Sequence, residues 1–254
     1  MILSELKIID THSHINTGTP YDTAETDAYL ADIDYLNKMR VGAGIAETFI
    51  SSFAAVSEPS TILNENAVLR EICEERDYLY QWVVVDPRIP ETVTQARQIL
   101  GTRKCVGIKL HPHLHKYSIL DYQRELFGFA SELGARVLIH PESCPTHVIP
   151  VADEYPDVTF IMAHLNGLND EHIAAVAGAK HRNVYTDVAT MCSMYNHGVE
   201  NAVSRIGSDR ILFGTDTYAA GFIRGRVEYA LIPEEDKVNI LLNNAKRLFG
   251  DKLH

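Results

Sequence analysis

Short runs of apolar, β-branched residues recur along the chain, and amphipathic stretches separate most of them. Eight runs have the length and composition of buried strands, and they cover residues 6–9, 41–46, 79–85, 106–111, 136–140, 158–164, 183–188 and 210–216. In the intervals, apolar residues recur three and four positions apart, which is typical of helices packed by one face. The pattern therefore predicts strands that alternate with helices.

End signals support several of these helices. Asp22 and Glu25 have the spacing of a capping pair for a first helix that continues to Met39. Pro90 and Gly101 stand where a helix begins and ends. The other predicted helices cover residues 61–76, 122–133, 146–155, 173–177, 199–206 and 234–249.

This alternation predicts an α/β fold, and specifically a single (β/α)8 TIM barrel over residues 1–254. The chain has no Gly/Ser-rich linker and no break in composition, so we expect one domain. An open doubly wound sheet is the competing fold. It would place a G-x-G-x-x-G loop after the first strand, where His12-Ser13-His14 stand instead.

Composition narrows the expected partners and setting. A net charge of -11 argues against nucleic acid, because nucleic-acid binding depends on clustered Lys and Arg. The four cysteines form no C-x-x-C pair, which argues against a zinc knuckle or a disulfide framework and favours a reducing compartment. With no recognisable signal peptide or membrane-spanning run, we expect a cytoplasmic protein with no membrane partner. A homo-oligomer is compatible with the sequence.

Side chains that can bind metals collect where the predicted strands end. His12 and His14 follow the first strand and share one face, because strand side chains alternate. Four other strands end in His111, His140, His164 and Asp216. An isolated His-x-His pair is more often structural, but in a barrel all these strand ends surround one mouth. Imidazole and carboxylate groups at one place predict a site for zinc or a similar ion.

These segments resemble the amidohydrolase superfamily, and more narrowly its short, barrel-only branch, which includes aminocarboxymuconate semialdehyde decarboxylase, resorcylate decarboxylases and pyrone dicarboxylate lactonase. The matching segments are D-T-H-S-H at 10–14, G-I-K-L-H-P at 107–112, L-I-H at 138–140, M-A-H-L-N-G at 162–167, L-F-G-T-D at 212–216 and N-N-A-K-R-L-F at 243–249. They span nearly the whole chain in the order of the family. The resemblance implies the same barrel fold and a metal-dependent enzyme.

The resemblance also implies a role for each matched residue. His12, His14, His140 and Asp216 would hold one divalent metal ion, Zn²⁺ first, with Mn²⁺ or Fe²⁺ as alternatives. A bound ion of this kind lowers the pKa of its water to about 7. Asp216 would accept the proton of that water, and His164 would orient the water or protonate the leaving group.

Lys109 and His111 share a face of the fourth predicted strand, and we expect both to bind substrate. Lys109 has three interpretations. It could be a carboxylated lysine that bridges two metals, as in phosphotriesterase-like relatives. It could instead be a cation that binds a substrate carboxylate, or a lysine at the rim of the barrel. The second is favoured, which predicts one metal per chain and an anionic substrate. Weaker substrate-binding candidates, more simply explained as rim residues, are Glu47, Arg88, Tyr218 and Arg224.

The expected activity is hydrolysis of an ester, lactone or amide bond in a small carboxylated molecule through a metal-bound water. Non-oxidative decarboxylation at the same site is the first alternative, and the sequence does not separate the two. A TatD-like nuclease also begins with a His-x-His strand, but such relatives carry a glutamate on the fourth strand, where this chain has Lys109 and His111. The non-enzyme alternative is a barrel that binds a metabolite or a metal without turnover. Absence of Asp216 would suggest this alternative, but Asp216 is present.

Overall fold

The computed structural model describes residues 3–18, 31–141, 144–190, 195–217 and 219–253. The predicted capping pair Asp22 and Glu25 lies outside these residues, as do Tyr218 and Cys192. The first helix described begins at Ile33, where the Asp32 side chain accepts a hydrogen bond from the backbone N–H of Tyr35. Asp32 is thus the N-cap of this helix.

Eight parallel strands form one sheet in chain order. They are β1 (Ile8–Ile15), β2 (Ile45–Ser52), β3 (Leu79–Val84), β4 (Cys105–Leu110), β5 (Arg136–Ile139), β6 (Thr159–Met162), β7 (Val184–Asp187) and β8 (Ile211–Leu212). The sheet closes from β8 to β1, because the Thr11 N–H and hydroxyl both donate to Phe213 O at 2.9 and 2.8 Å. The predicted (β/α)8 barrel is confirmed.

Helices follow the strands and cover the outside of the barrel. They are α1 (Ile33–Gly42), α2 (Phe53–Ser57), α3 (Ile62–Glu74), α4 (Pro90–Leu100), α5 (Pro112–His115), α6 (Phe129–Glu132), α7 (Val148–Glu154), α8 (Asp170–Gly178), α9 (Gly198–Ile206), α10 (Ala220–Glu228), α11 (Glu234–Val238) and α12 (Asn244–Phe249). Turns of π-helix, Arg124–Gly128 and Asn239–Asn243, precede α6 and α12. No helix among the described residues is long and apolar enough to cross a membrane.

The second strand differs from its predicted position. Residues 41 and 42 end α1, and Gly44 makes the turn into β2 with a φ of +65°. Glycine adopts this left-handed conformation without the steric cost that a Cβ imposes. β2 therefore extends to Ser52, and Glu47 lies near its amino end, beside Ile9 of β1.

Aromatic side chains fill the amino-terminal half of the barrel. Phe49, Trp82 and Phe249 are fully buried, and the ring of Phe249 lies 4.9 Å from that of Phe49 and 5.7 Å from that of Trp82. Phe249 ends α12, so the last helix closes this end of the barrel. The Trp82 indole also donates to Thr11 O at 2.8 Å. Because packed rings close this end, the open end of the barrel is its carboxyl-terminal mouth, where active sites of this fold lie.

Candidate metal centre and active site

Three of the predicted metal ligands converge at the mouth, between β1 and the turn after β8. Ligand atoms of His12, His14 and Asp216 all lie within 4.8 Å of one another. Asp216 Oδ1 is 3.0 Å from His14 Nε2 and 3.3 Å from His12 Nε2. The alternation of β1 places both imidazoles on the inner face, and both are buried. This arrangement agrees with the sequence-based expectation for these three residues.

Two polar residues that the sequence analysis did not single out hold the outer nitrogens of these imidazoles. Asp187 Oδ2 lies 2.9 Å from His12 Nδ1, and Ser51 Oγ lies 2.8 Å from His14 Nδ1. A carboxylate only accepts hydrogen bonds, so His12 Nδ1 is the donor. Metal-binding histidines commonly have such partners, which fix the ring orientation. The only sequence signal was that both residues are polar and lie near the carboxyl end of a strand.

The donor set fits a divalent metal ion. With the proton of neutral His12 on Nδ1, its Nε2 carries a lone pair 3.3 Å from the carboxylate oxygen of Asp216. Two such acceptors repel each other unless a cation lies beside them, and the Lys109 ammonium lies 2.9 Å from His12 Nε2. Two imidazole nitrogens and a carboxylate oxygen are ligands that zinc, manganese and iron accept.

His140 and His164 lie next to this group. His164 Nε2 is 3.1 Å from His140 Nδ1, and the ring of His164 is 5.1 Å from that of His12. Among the described residues, ligand atoms form two compact groups, His12 with His14 and Asp216 and His12 with His164 and Asp187, and neither contains His140. The role of His140 as a further ligand stays a prediction.

Two of the predicted functional residues have strained backbone conformations. His164 and Asp216 have φ values of +66° and +55°, in the left-handed region that residues other than glycine seldom occupy. Each is held by a hydrogen bond of its backbone N–H, His164 to Asp187 Oδ1 at 3.1 Å and Asp216 to His12 O at 2.7 Å. Such strain concentrates at functional sites, where surrounding structure maintains it.

Asp10 ties β1 to the turn that carries Asp216. Its carboxyl group accepts hydrogen bonds from the hydroxyl and the backbone N–H of Thr215 at 2.7 and 3.0 Å, and from His12 N at 3.2 Å. Burial raises the pKa of Asp10 to about 7, although these hydrogen bonds lower it. Asp10 therefore helps to hold the turn that carries Asp216 against β1.

Lys109 and His111 both lie beside the predicted ligands. The ammonium of Lys109 is completely buried and donates to His12 Nε2 at 2.9 Å. Burial lowers the pKa of Lys109 to about 8, while Asp216 and Asp187 raise it, so Lys109 is mostly charged at neutral pH. The ring of His111 stacks on that of His140 at 4.0 Å, and its Nδ1 accepts from Leu114 N at 3.2 Å. A neutral His111 therefore carries its proton on Nε2.

Burial and neighbouring charges set the protonation of the site. Burial lowers the pKa of His140 to about 2 and that of His164 to about 4, so both rings are neutral at pH 7. Burial alone would raise the pKa of Asp216, but His164, His14 and His12 hold it well below its usual range. Neutral imidazoles and ionised carboxylates are the forms that bind metal.

Two of the weaker substrate-binding candidates were wrong. Glu47 lies toward the amino-terminal end of the barrel, because β2 extends five residues beyond it. Arg224 is buried and donates to Ala43 O at 2.5 Å and to Leu3 O at 2.7 Å, which occupies its guanidinium in structural hydrogen bonds. Arg88 follows β3 and forms a bidentate ion pair with Asp86.

A family model described as Amidohydrolase matches residues 9–250. The chain belongs to this amidohydrolase family. The match covers all predicted site residues and all eight strands except Ile8, the first residue of β1, so the resemblance seen in the sequence is confirmed. A search of curated proteins found no match to the chain.

Solved structures share the fold of this family member over nearly its full length. 2,6-Dihydroxybenzoate decarboxylase from Rhizobium has 18% identity and a TM-score of 0.77, with 96% of this chain and 98% of that chain covered. A dihydroxybenzoic acid decarboxylase from Polaromonas sp. JS666, with bound manganese and 2-nitroresorcinol, has 16% identity, a TM-score of 0.72 and 96% coverage of both chains. A candidate 2-pyrone-4,6-dicarboxylic acid hydrolase from Pseudomonas putida has 15% identity and a TM-score of 0.72, with 98% and 99% covered.

Proposed function

We propose that this amidohydrolase-family protein is a metal-dependent enzyme that removes a carboxyl group, as CO₂, from a small carboxylated molecule. The observation that carries the proposal is the ammonium of Lys109, fully buried 2.9 Å from His12 Nε2 in the group of predicted metal ligands. A fixed cation beside a metal position is suited to a substrate that presents a carboxylate and a second oxygen. Decarboxylases with this fold act on dihydroxybenzoates, which have both features.

His12, His14 and Asp216 would hold the divalent ion, with His140 as the proposed fourth ligand. When bound, the ion supplies positive charge that polarises substrate oxygens. The donor set accepts Zn²⁺, Mn²⁺ or Fe²⁺, and a relative contains manganese, so Mn²⁺ is tested beside Zn²⁺. We expect one ion per chain.

The residues of the chain would bind the substrate and supply a proton. Lys109 would pair with the carboxylate, and the Nε2–H of His111 would donate a hydrogen bond to it. In the reaction the bond between carbon and the carboxyl group breaks, its electron pair stays on the carbon, and that carbon takes a proton as CO₂ leaves. Asp216 and His164 are the proposed proton-transfer groups. His164 lies beside the ligand group, and its neutral ring keeps one N–H to donate. Asp216 belongs to that group and is ionised, so it would first take a proton from solvent water before passing it on.

Hydrolysis of an ester, lactone or amide is the second candidate. The carboxylate of Asp216 is held ionised and is 13% exposed, so it could accept a proton from a water molecule at the mouth. A candidate pyrone dicarboxylic acid hydrolase has the same fold. Both candidate reactions use a small anionic substrate. We propose that all 254 residues form one domain and that this domain binds the substrate.

The experiment first measures metal content of protein purified without added metal, and then assays chelated protein reloaded with Mn²⁺ or Zn²⁺. Carboxylated phenols are tested for CO₂ release, and lactones, esters and amides of similar size for hydrolysis. Metal-dependent CO₂ release with no hydrolysis supports the proposal. Hydrolysis alone would select the second candidate, and a protein that takes up no divalent metal would refute both.

A further inference from the structure

We infer that Asp187 is a positioning residue that selects the metal-binding tautomer of His12 and fixes the backbone of His164. This inference rests on the proposed metal-dependent function, but it concerns a residue outside the predicted ligands. Asp187 is the last residue of β7, and its side chain is completely buried behind the site.

Both carboxylate oxygens of Asp187 are engaged by groups of the site. Oδ2 accepts from His12 Nδ1 at 2.9 Å. Oδ1 accepts from the backbone N–H of His164 at 3.1 Å and from that of Ala189 at 3.0 Å. One buried side chain therefore touches a proposed ligand and a proposed proton-transfer residue, which are 152 positions apart in the sequence.

The contact with His12 decides which nitrogen can bind a metal. Neutral imidazole carries one N–H, and a carboxylate can only accept it, so Asp187 places that proton on Nδ1. Nε2 is then left with a lone pair, 2.9 Å from Lys109 Nζ and 3.3 Å from Asp216 Oδ1. A protonated Nε2 could not act as a ligand, because the lone pair would be used by the proton.

The contact with His164 acts on the backbone. His164 has a φ of +66°, a conformation that residues other than glycine seldom adopt and that persists only where neighbouring structure maintains it. The hydrogen bond from its N–H to Asp187 Oδ1 anchors this turn. The same carboxylate also holds His12. It therefore fixes the position of the His164 ring relative to the His12 ring, and the two ring centroids are 5.1 Å apart.

Asp187→Asn tests the inference with almost no change in shape. The amide oxygen of Asn can still accept from the N–H groups of His164 and Ala189, so the turn should remain folded. Its NH₂ group would face His12 Nδ1 and donate to it, which would move the imidazole proton to Nε2. A merely structural carboxylate would not have this effect on the tautomer.

The first measurement uses metal-free protein labelled with ¹⁵N-histidine, with His12→Ala to assign the His12 signals. Because the Lys109 ammonium donates to His12 Nε2 and would hold the proton on Nδ1 by itself, the two proteins compared also carry Lys109→Met. In this background we expect the proton on Nδ1 with Asp187 and on Nε2 with Asp187→Asn. The second measurement is Mn²⁺ and Zn²⁺ affinity, which should fall about 10- to 100-fold in Asp187→Asn. Asp86→Asn is the matched control, a buried strand-end carboxylate paired with Arg88, and should keep the parent affinity.

A parent His12 with its proton on Nε2 would overturn the inference, as would an Asp187→Asn variant that binds metal as tightly as the parent. An equal loss of affinity in Asp86→Asn would also overturn it, because the effect would then be one of stability. If Asp187→Asn does not fold, the His12 tautomer of Lys109→Met decides the question, because Asp187 then acts on the ring without the Lys109 ammonium. If the parent binds no metal, the proposed function fails, while the tautomer measurement still judges the role of Asp187.

Discussion

Replacing Lys109 by methionine should separate substrate binding from metal binding. Lys109→Met removes the ammonium but keeps a side chain of nearly the same length, so the buried space stays filled. The metal ligands are untouched. We expect substrate to bind much more weakly and metal to bind at least as well as in the parent, because a positive charge 2.9 Å from His12 Nε2 opposes a second cation there.

The size of the loss follows from burial. Lys109 is 0% exposed, so solvent does not screen its interaction with a bound carboxylate. Removing one partner of such a buried, hydrogen-bonded charge pair costs about 2–5 kcal/mol. At about 1.4 kcal/mol for each factor of ten, the substrate dissociation constant should rise between about 30-fold and about 4000-fold.

Calorimetric titration of metal-loaded protein with a carboxylated phenol measures this constant, and elemental analysis measures bound metal. Lys104→Met is the matched control, because Lys104 is also buried, at the amino end of β4. Among the described residues its ammonium donates to the backbone carbonyls of Arg76, Asp77 and Leu79, and it lies over the ring of Tyr80. Lys104→Met should therefore lower the melting temperature and leave substrate affinity unchanged.

Two results would refute this reasoning. Substrate affinity within a few-fold of the parent in Lys109→Met would mean that the ammonium does not contact the substrate. Loss of bound metal in the same variant would mean that Lys109 helps to hold metal, as a carboxylated lysine would. Two metals per parent chain would point to that same two-metal arrangement.

Three further predictions concern the proposed metal ligands and the protonation of Lys109. His12→Ala or His14→Ala should lose most bound metal and nearly all activity with little change in melting temperature, and metal content equal to the parent in both would contradict the ligand assignment. Asp216→Asn should lower kcat by orders of magnitude while substrate still binds, whereas a raised KM with unchanged kcat would mean that Asp216 only binds substrate. Substrate affinity should decline above about pH 8, because the Lys109 ammonium exists only below its lowered pKa of about 8, and Lys109→Arg should move this decline to higher pH.

The sequence was sufficient for the barrel and for the location of the candidate site. Strand and helix patterns are local, so the eight apolar runs and the helical spacing of apolar residues between them can be recognised without tertiary contacts. Because parallel strands in a barrel share one carboxyl-terminal mouth, histidines at strand ends were enough to predict where chemistry collects. Where a local cue misled, as before Gly44, the strand was displaced and Glu47 was placed at the wrong end.

Other features were decided by the tertiary structure alone. Asp187 and His12 are 175 positions apart, and Ser51 and His14 are 37 apart, so no local pattern links them. The buried environment that lowers the pKa of Lys109 also comes from several strands together. These contacts exist only once the barrel closes, because closure brings distant strand ends within hydrogen-bond distance and excludes water from between them.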